Sequence, residues 1–385
     1  MRNSVVIIGG GPTGLTAGAL LANSDLSVNI IEAKPEQLKS KDTKALALSN
    51  SSVFVLKKLN IWDSLLKKAI AINEIHVSQK NTFGRTLFKS EDYEEDALGY
   101  IVSYSDLINS LRKKIRDLKN THLHFNTQAK SIEYSESSQK ILISNDGIKE
   151  KLSFDLLVLA DGGQSSIEGL KLARSEKDEG HIALVSSVKT NKPHKGRAYE
   201  RFTKSGPIAL LPNSNERFTL VWTGPKNIIS KIETLDDYSI LNELQENFGN
   251  RAGSFIDIKG RTIFPLKSSM LQDIIGQNVI AIGNASQIIH PVAGQGLNIG
   301  IREALELSKN AKIISDKYCS EDISTELSKM LKSKSSDIIK ITDQLSSFFL
   351  NDIVGLNNLR GFSLSILDAF PSLKKKFVKK MSYGE

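Results

Sequence analysis

The sequence predicts an α/β protein: a doubly wound layer of parallel strands and helices, interrupted by a mostly antiparallel β-sheet and closed by a helical C-terminal segment. Three observations carry this expectation. Short apolar runs ending at glycine turns alternate with helical patterns on both sides of the middle of the chain. Brief strand-like runs separated by Gly, Pro, Asn and Ser fill 73–97 and 179–267. Beyond residue 320, apolar residues recur at helical spacing. The expected division is a discontinuous first domain (1–72, 98–178 and 268–320), a sheet domain (73–97 and 179–267) and C-terminal helices (321–385). A chain of 385 residues, 40% hydrophobic, is long enough to bury more than one core.

The first element is the most informative. SVVIIGGGPTGLTAGALLANSDLSVNIIEAK (4–34) reads as a strand, a glycine turn, a helix and a second strand ending in an acid. Its glycines fall as Gly9-x-Gly11-x-x-Gly14, with Pro12 and Thr13 between the last two. Gly9 permits the tight turn, Gly11 lets backbone approach a pyrophosphate, and Gly14 lets the helix pack close to the sheet. The helix N-terminus offers unpaired N–H groups and the positive end of a dipole to phosphates. Glu32, eighteen residues beyond Gly14, stands where a carboxylate holds ribose hydroxyls. This Rossmann-like fingerprint marks a dinucleotide site without naming the dinucleotide. It has no second copy, which argues against the two-motif plan of the disulfide reductases.

The remaining elements follow in order. Residues 104–118 read as a helix, and NEIHVSQKNTFGRTLF (73–88) as short strands. FDLLVLADGG (154–163) is a buried strand that stops at Asp161-Gly162. The block His181–Pro265 contains FTKSGPIALLPNSNERFTLVWTG, again strands and turns. Within it Leu210, Leu211, Pro212 and Trp222 are read first as core and second as substrate lining. VIAIGNASQIIHPVAGQGLNIGIREALELSKNAK (279–312) is a strand, a glycine-bounded loop and a long helix over 297–312.

Composition excludes several classes. The net charge of +8 comes with no motif that reads bases, so no nucleic-acid partner is expected. Cys319 is the sole cysteine, which removes an internal disulfide, a CxxC pair and any multi-cysteine metal site. His76, His122, His124, His181, His194 and His290 are scattered, and no metal site is expected. The N-terminal apolar run is broken by glycines, and no stretch approaches the roughly 20 residues of a membrane span. The expected location is therefore the cytoplasm.

The segments 4–34, 154–170 and 279–312, in this order, resemble the single-component flavin-dependent aromatic hydroxylases of the p-hydroxybenzoate hydroxylase type. Within that class KDTKALALSNSSVFVLKKLNIWDSL (41–65), LGYIVSYSDLINSL (98–111), YERFTKSGPIALLP (199–212), LVWT (220–223) and HPVAGQGLNIGIRE (290–303) look like the ubiquinone-biosynthesis hydroxylases. ITDQLSSFF (341–349) and NNLRGFSLSILDAFPSLKKKF (357–377) resemble that subgroup's C-terminal pattern. The likeness spans nearly the whole chain. GNA–HPVAGQGLN is its most specific part, because Asn284 stands where the broader class carries Asp.

The resemblance implies FAD, with its ADP half at Gly9, Gly11, Pro12, Thr13, Gly14 and Glu32. Lys44, Asp161 and Gly162 contact FAD, and the Asp-Gly motif also meets a transient NAD(P)H or other electron donor. Gly283, Asn284, Gly294, Gln295, Gly296, Leu297 and Asn298 hold the ribityl chain and ring. It further implies that O2 adds at the flavin C4a position and that the hydroperoxide hydroxylates a polyprenylated phenol lying between the sheet domain and the flavin. No triad or metal is then needed; the protein supplies orientation, a dry pocket and a sink for negative charge. The helix opened by GQGLN is that sink, its N–H groups facing the edge of the ring that becomes anionic on reduction. His290 is either a base for the phenol, or a polar contact beside the flavin, or a loop histidine bonded to backbone before Pro291; His290 and Pro291 are the catalytic candidates.

Four positions depart from the family pattern: Lys44 and Glu168 replace Arg, Ser105 replaces a larger polar or cationic residue, and Ser286-Gln287 replace Ala-His. Three other readings stay open: a related flavoprotein with another aromatic substrate, a reductase of isoprenoid double bonds, and a non-catalytic FAD-bound assembly subunit, the last on the ground of Glu168 and Ser105. The halogenase motif WxWxIP is absent, Trp62 and Trp222 lying far apart. Finally, PSLKKKFVKKMSYGE (371–385) is either a basic amphipathic helix on anionic lipid, at the inner face of the cytoplasmic membrane, or a terminal helix packed on its own domain with a solvated lysine face. The resemblance also makes a ubiquinone-biosynthesis complex a partner, with no residue singled out for it.

Overall fold

The computed structural model describes residues 3–24, 26–37, 44–135, 139–164, 166–214, 216–289, 294–315, 323–350 and 356–384. Its first layer is a five-stranded sheet whose order is Val279–Ala281, Leu156–Leu159, Ser4–Ile8, Ser27–Ile31 and Thr121–His124, every pair parallel. The opening strand is central, so the chain leaves it first to one side and later to the other. That reversal opens a crevice beyond the strands' carboxyl ends.

One face of this sheet is covered by helices. Pro12–Leu21 is apolar on all sides and buried from Gly14 onward, which requires neighbours all round it. It packs against Tyr104–Arg116 and Gln295–Lys309, and the shared core includes Leu15, Leu21, Ile30, Leu107, Leu111, Ile301 and Leu307. A doubly wound layer would carry helices on the other face as well. Here that face carries a three-stranded antiparallel sheet, Thr127–Tyr134, Gln139–Asn145 and Ile148–Phe154. Ile132, Ile141, Ile143 and Phe154 turn inward onto Val6, Ile8, Ile31 and Leu157. Alternation in these strands supplies one apolar face, which is sufficient to seal the sheet.

The second layer is an eight-stranded sheet, antiparallel except where Arg197–Thr203 runs parallel to Glu74–Gln79. Two of its strands, Lys171–Thr190 and Phe255–Ile275, are long enough to run from one domain into the other. Their pairing slips between Asp178 and His181, a bulge at Gly180 that bends the ribbon at the expected boundary of the sheet domain. Helices Lys226–Glu233 and Asp237–Phe248 cover one face of this sheet through Ile229, Ile232, Ile240, Leu244 and Phe248. The other face turns toward the first domain.

Three helices, Ile323–Leu350, Leu356–Ala369 and Pro371–Tyr383, end the chain. The second lies against the hairpin at Gly84 so closely that a Cβ there would sit 2.1 Å from the Cα of Gly361. Phe377 stacks on Phe88 at 5.8 Å, and Tyr383 donates to Glu95 at 2.6 Å, so the last helix is docked on its own chain.

Candidate functional site

The motif residues separated in sequence meet at the crevice. Ile8, Ile31, Leu159 and Ala281 are in register across the parallel sheet, so Gly9, Glu32, Asp161 and Gly283 all lie just past the same edge. Gly9 has φ +111°, a conformation that L side chains avoid, and its N–H donates to the Ile31 carbonyl at 2.8 Å. A Cβ at Gly14 would lie 2.0 Å from the Gly9 oxygen, so this glycine sets the approach of helix to turn. Among the described residues, a Cβ at Gly11 would meet no heavy atom within 4 Å. The first two glycine positions answer to the fold, and Gly11 answers to open space beside the helix N-terminus, where Pro12 opens the helix. That is a cradle shaped for an anion such as a diphosphate.

Glu32 accepts from Gly10 N–H at 2.7 Å through one oxygen and from Lys34 N–H at 2.8 Å through the other. The two bonds hold the carboxylate beside the turn, with lone pairs left for hydroxyls. Asp161 accepts from Gly163 N–H at 3.0 Å, which shapes the Asp161-Gly162 turn. Arg174 reaches from the inter-domain ribbon to the Ala285 carbonyl and stands 3.0 Å from where a Cβ of Gly163 would be, so it ties the two turns together.

The third motif is a backbone device. Gly283 N–H donates to the buried Glu303 at 2.7 Å. Thr13 fills the space between Gly283 and Gly300, its Oγ1 2.6 Å from a Cβ built at the latter. Gly294 caps helix Gln295–Lys309 with φ +61°, again a glycine conformation, and among the described residues a Cβ at Gly296 would meet only Asn284 Oδ1, at 3.5 Å. Asn284 is exposed, Gln295 is buried, and Leu297 packs on the main core. Asn298 is spent on the protein. Its Oδ1 accepts from Ser49 N–H at 2.9 Å and Ser52 Oγ at 2.7 Å, and its Nδ2 donates to the Ala47 and Gly294 carbonyls, each at 3.0 Å. The second of those carbonyl bonds closes the cap loop onto the helix. Asn298 therefore fixes the turn from behind. His290 and Pro291 lie outside the described residues.

The open face of the eight-stranded sheet forms the other wall. Register places Val185, Val221, Ala209, Glu200 and Val77 in one row across five strands, and Thr219, Leu211, Ala198 and Ile75 in the next. Most of these residues are half-buried, so this face is not closed as a core is. Ala198 and Leu211 pack with Ala45, Ala47, Ile72 and Ile101, and Ala47 lies 3.4 Å from a Cβ built at Gly294. The strand Ala45–Leu48 thus separates the sheet face from the helix cap by one layer. Lys44, exposed at its start, sets its ammonium 5.9 Å from the ring of Phe264.

Of the four substrate-lining candidates, Leu210, Pro212 and Trp222 lie on the helix-covered face, and Leu210 and Trp222 are fully buried there. Only Leu211 belongs to the open face. Sequence reasoning missed Val77, Val185, Glu200, Ala209 and Val221. Their alternation with the core positions was legible, but which set faces a ligand depends on which side the helices cover. Of the departures, Glu168 is exposed and joined through its backbone to Lys130 and Ile132, while Ser105 sits beside Ser103 at a helix start.

A family model described as FAD binding domain matches residues 2–315. Over 384 residues the chain is 27% identical to an uncharacterized protein, slr1300, of Synechocystis, covering 98% of this chain and 92% of the relative. It is 24% identical to the mitochondrial ubiquinone biosynthesis monooxygenase COQ6 of Dictyostelium discoideum, over 99% of this chain and 91% of that one. In fold it is similar to the p-nitrophenol 4-monooxygenase PnpA of Pseudomonas putida, with a TM-score of 0.77 at 14% identity, covering 99% and 98% of the two chains.

Proposed function

The chain belongs to the FAD binding domain family, and from that premise we propose that it is an FAD-dependent monooxygenase that hydroxylates the aromatic ring of a polyprenyl-phenol intermediate of ubiquinone biosynthesis, with NAD(P)H as electron donor. The observation that carries this reading is the juxtaposition of the FAD cradle with a half-buried apolar sheet face, one strand apart. Such a face receives an apolar aromatic substrate and excludes water from it. The names of relatives that match over the full chain support the substrate class.

FAD, when bound, supplies the redox chemistry that activates O2. The chain's own part is positional and electrostatic. Gly11 and the N-terminus of helix Pro12–Leu21 hold the diphosphate, and Glu32 takes ribose hydroxyls. The N–H groups of Gln295, Gly296 and Leu297 and the dipole of their helix stabilise negative charge at the ring edge. Asn298, Glu303 and Thr13 keep those groups in place, which is pre-organisation. Val77, Val185, Ala209, Leu211 and Val221 orient the substrate ring by shape.

A polyprenylated substrate resides in the bilayer, and the C-terminal segment suits contact with it. No helix among the described residues is long and apolar enough to cross a membrane. Phe362, Phe370 and Leu373 are exposed on the last two helices, next to the exposed Lys375, Lys376 and Lys379. A cavity of about 720 Å³ lies there, lined by Ile366, Leu367, Leu373 and Phe377 with Lys376 and Lys380 at its edge. These features support peripheral attachment at an anionic membrane surface.

Incubation of the FAD-loaded protein with NAD(P)H, O2 and a prenylated phenol tests the hydroxylase reading. The expected result is substrate-stimulated NAD(P)H oxidation and a product carrying one oxygen atom from labelled O2. Neither response with any prenylated phenol would favour an assembly subunit instead.

A further inference from the structure

The open sheet face has one carboxyl in its apolar row. Glu200 lies between Val77 on one neighbouring strand and Ala209 on the other, with Val221 and Val185 continuing the row. Along its own strand Ala198 and Phe202 share its face, because alternate residues of a strand point the same way. Tyr199 and Arg201 point to the opposite face, where both are engaged. Tyr199 donates to the Arg251 carbonyl at 3.2 Å, and Arg201 to the Asn247 carbonyl and Ser78 Oγ, each at 3.1 Å. The adjacent cation is therefore unable to neutralise Glu200 through the sheet.

Among the described residues no hydrogen bond or ion pair holds this carboxyl. Burial alone pushes it up to about 7, with no charged neighbour contributing. The residue as a whole is only half-buried, so it is not sealed in a core. A carboxyl in an apolar wall with no internal partner costs stability. It is the kind of cost that a fold carries at a ligand site.

We propose that Glu200 receives the phenolic hydroxyl of the substrate, accepting its hydrogen bond and then its proton. The assignment rests on the hydroxylase reading above. In the step the phenol O–H bond breaks, an O–H bond forms on the carboxylate, and no oxidation state changes. The negative charge moves from the carboxylate to the substrate oxygen, so the pocket holds one negative charge throughout. The resulting phenolate is more electron-rich than the phenol, which favours oxygen transfer to its ring. The proton returns to the product oxygen when the product leaves. A phenol near pKa 10 lies about five and a half units above an ordinary glutamate and about three above this one, so the transfer is roughly 300-fold less uphill here.

The experiment compares two ligands of equal shape, 2-geranylphenol and 2-geranylanisole, by perturbation of the flavin absorbance in holoenzyme between pH 5.5 and 8.5. The wild type is expected to prefer the phenol at least tenfold at pH 8, with the preference growing as pH rises through about 7, where Glu200 ionises. Glu200→Gln and Glu200→Leu are expected to retain FAD, to melt no lower than the wild type, and to bind the two ligands within threefold at every pH. Variants that keep the tenfold preference overturn this assignment alone. Variants that both lose the fold overturn it too, because the carboxyl would then be a structural partner. A wild type that binds neither ligand overturns the hydroxylase reading and this assignment with it.

Discussion

Replacing Gly11 by Ala separates ligand contact from folding. At Gly11 φ is −77° and ψ 179°, an extended conformation that alanine adopts freely, and a methyl group there meets nothing within 4 Å among the described residues. Ala for Gly at a helix cap loses a few tenths of a kcal/mol to about 1 kcal/mol, and stiffening the unfolded chain returns a similar amount. Apoprotein stability should therefore change by less than about 1 kcal/mol. The methyl group instead occupies the space that brings backbone N–H to a diphosphate. Loss of one hydrogen bond to a charged group is worth about 1.5–3 kcal/mol, so the FAD dissociation constant should rise roughly ten- to a hundredfold. Gly14→Ala is the control with the opposite profile. Its Cβ would lie 2.0 Å from the Gly9 oxygen, a backbone atom that is unable to swing away, and overpacking of this kind costs about 1–3 kcal/mol or more in the apoprotein itself. Flavin-fluorescence titration of the apoproteins, with thermal melts of the same samples, reads both quantities. A Gly11→Ala protein that binds FAD like the wild type, or that melts as low as Gly14→Ala, would refute the placement of the cradle.

The remaining predictions rest on the same geometry. Asn298→Ala leaves Ser49 N–H, Ser52 Oγ and the Ala47 and Gly294 carbonyls without their partner, and should lower stability by about 2–4 kcal/mol in denaturant unfolding while weakening FAD. Unchanged unfolding would show that the clamp is dispensable. Gly296→Val should lower flavin content with little effect on the apoprotein, since among the described residues only Asn284 stands near its Cβ; full FAD occupancy would contradict the position of the ring edge. Glu200→Gln should change the pH dependence of stability. The folded pKa of about 7 lies above the ordinary 4.5, so this carboxyl's contribution is full below about 4.5 and lost as pH rises through 7. The variant should gain on the wild type by up to about 3 kcal/mol across that window, and parallel unfolding curves from pH 4 to 8 would count against it. Changing Lys375, Lys376 and Lys379 to Gln should reduce sedimentation with anionic liposomes in low salt without unfolding the protein, because these side chains are exposed while Phe377 and Tyr383 make the docking contacts. Equal sedimentation of variant and parent would remove the membrane surface.

The sequence by itself determined the local devices. Gly9, Gly11 and Gly14, and Glu32 at the next strand end, occupy the positions their spacing assigned, because a turn and a strand's end are settled within a few residues. The strand before Asp161 and the helix after Gly294 are local in the same sense, with the helix beginning at Gln295, two residues ahead of its expected start. What only the tertiary structure decided is which side of each element meets what. Leu210 and Leu211 are neighbours of one apolar type, yet one is sealed under two helices and the other packs toward the strand Ala45–Leu48. Asn298 looks like a ligand residue in its motif but clamps two segments some 250 positions apart in sequence. Glu200 sits unremarked between an aromatic and an arginine until sheet register places it alone in an apolar row. A strand's two faces alternate whatever lies around it, and only long-range packing decides which face is covered and which is left for a substrate.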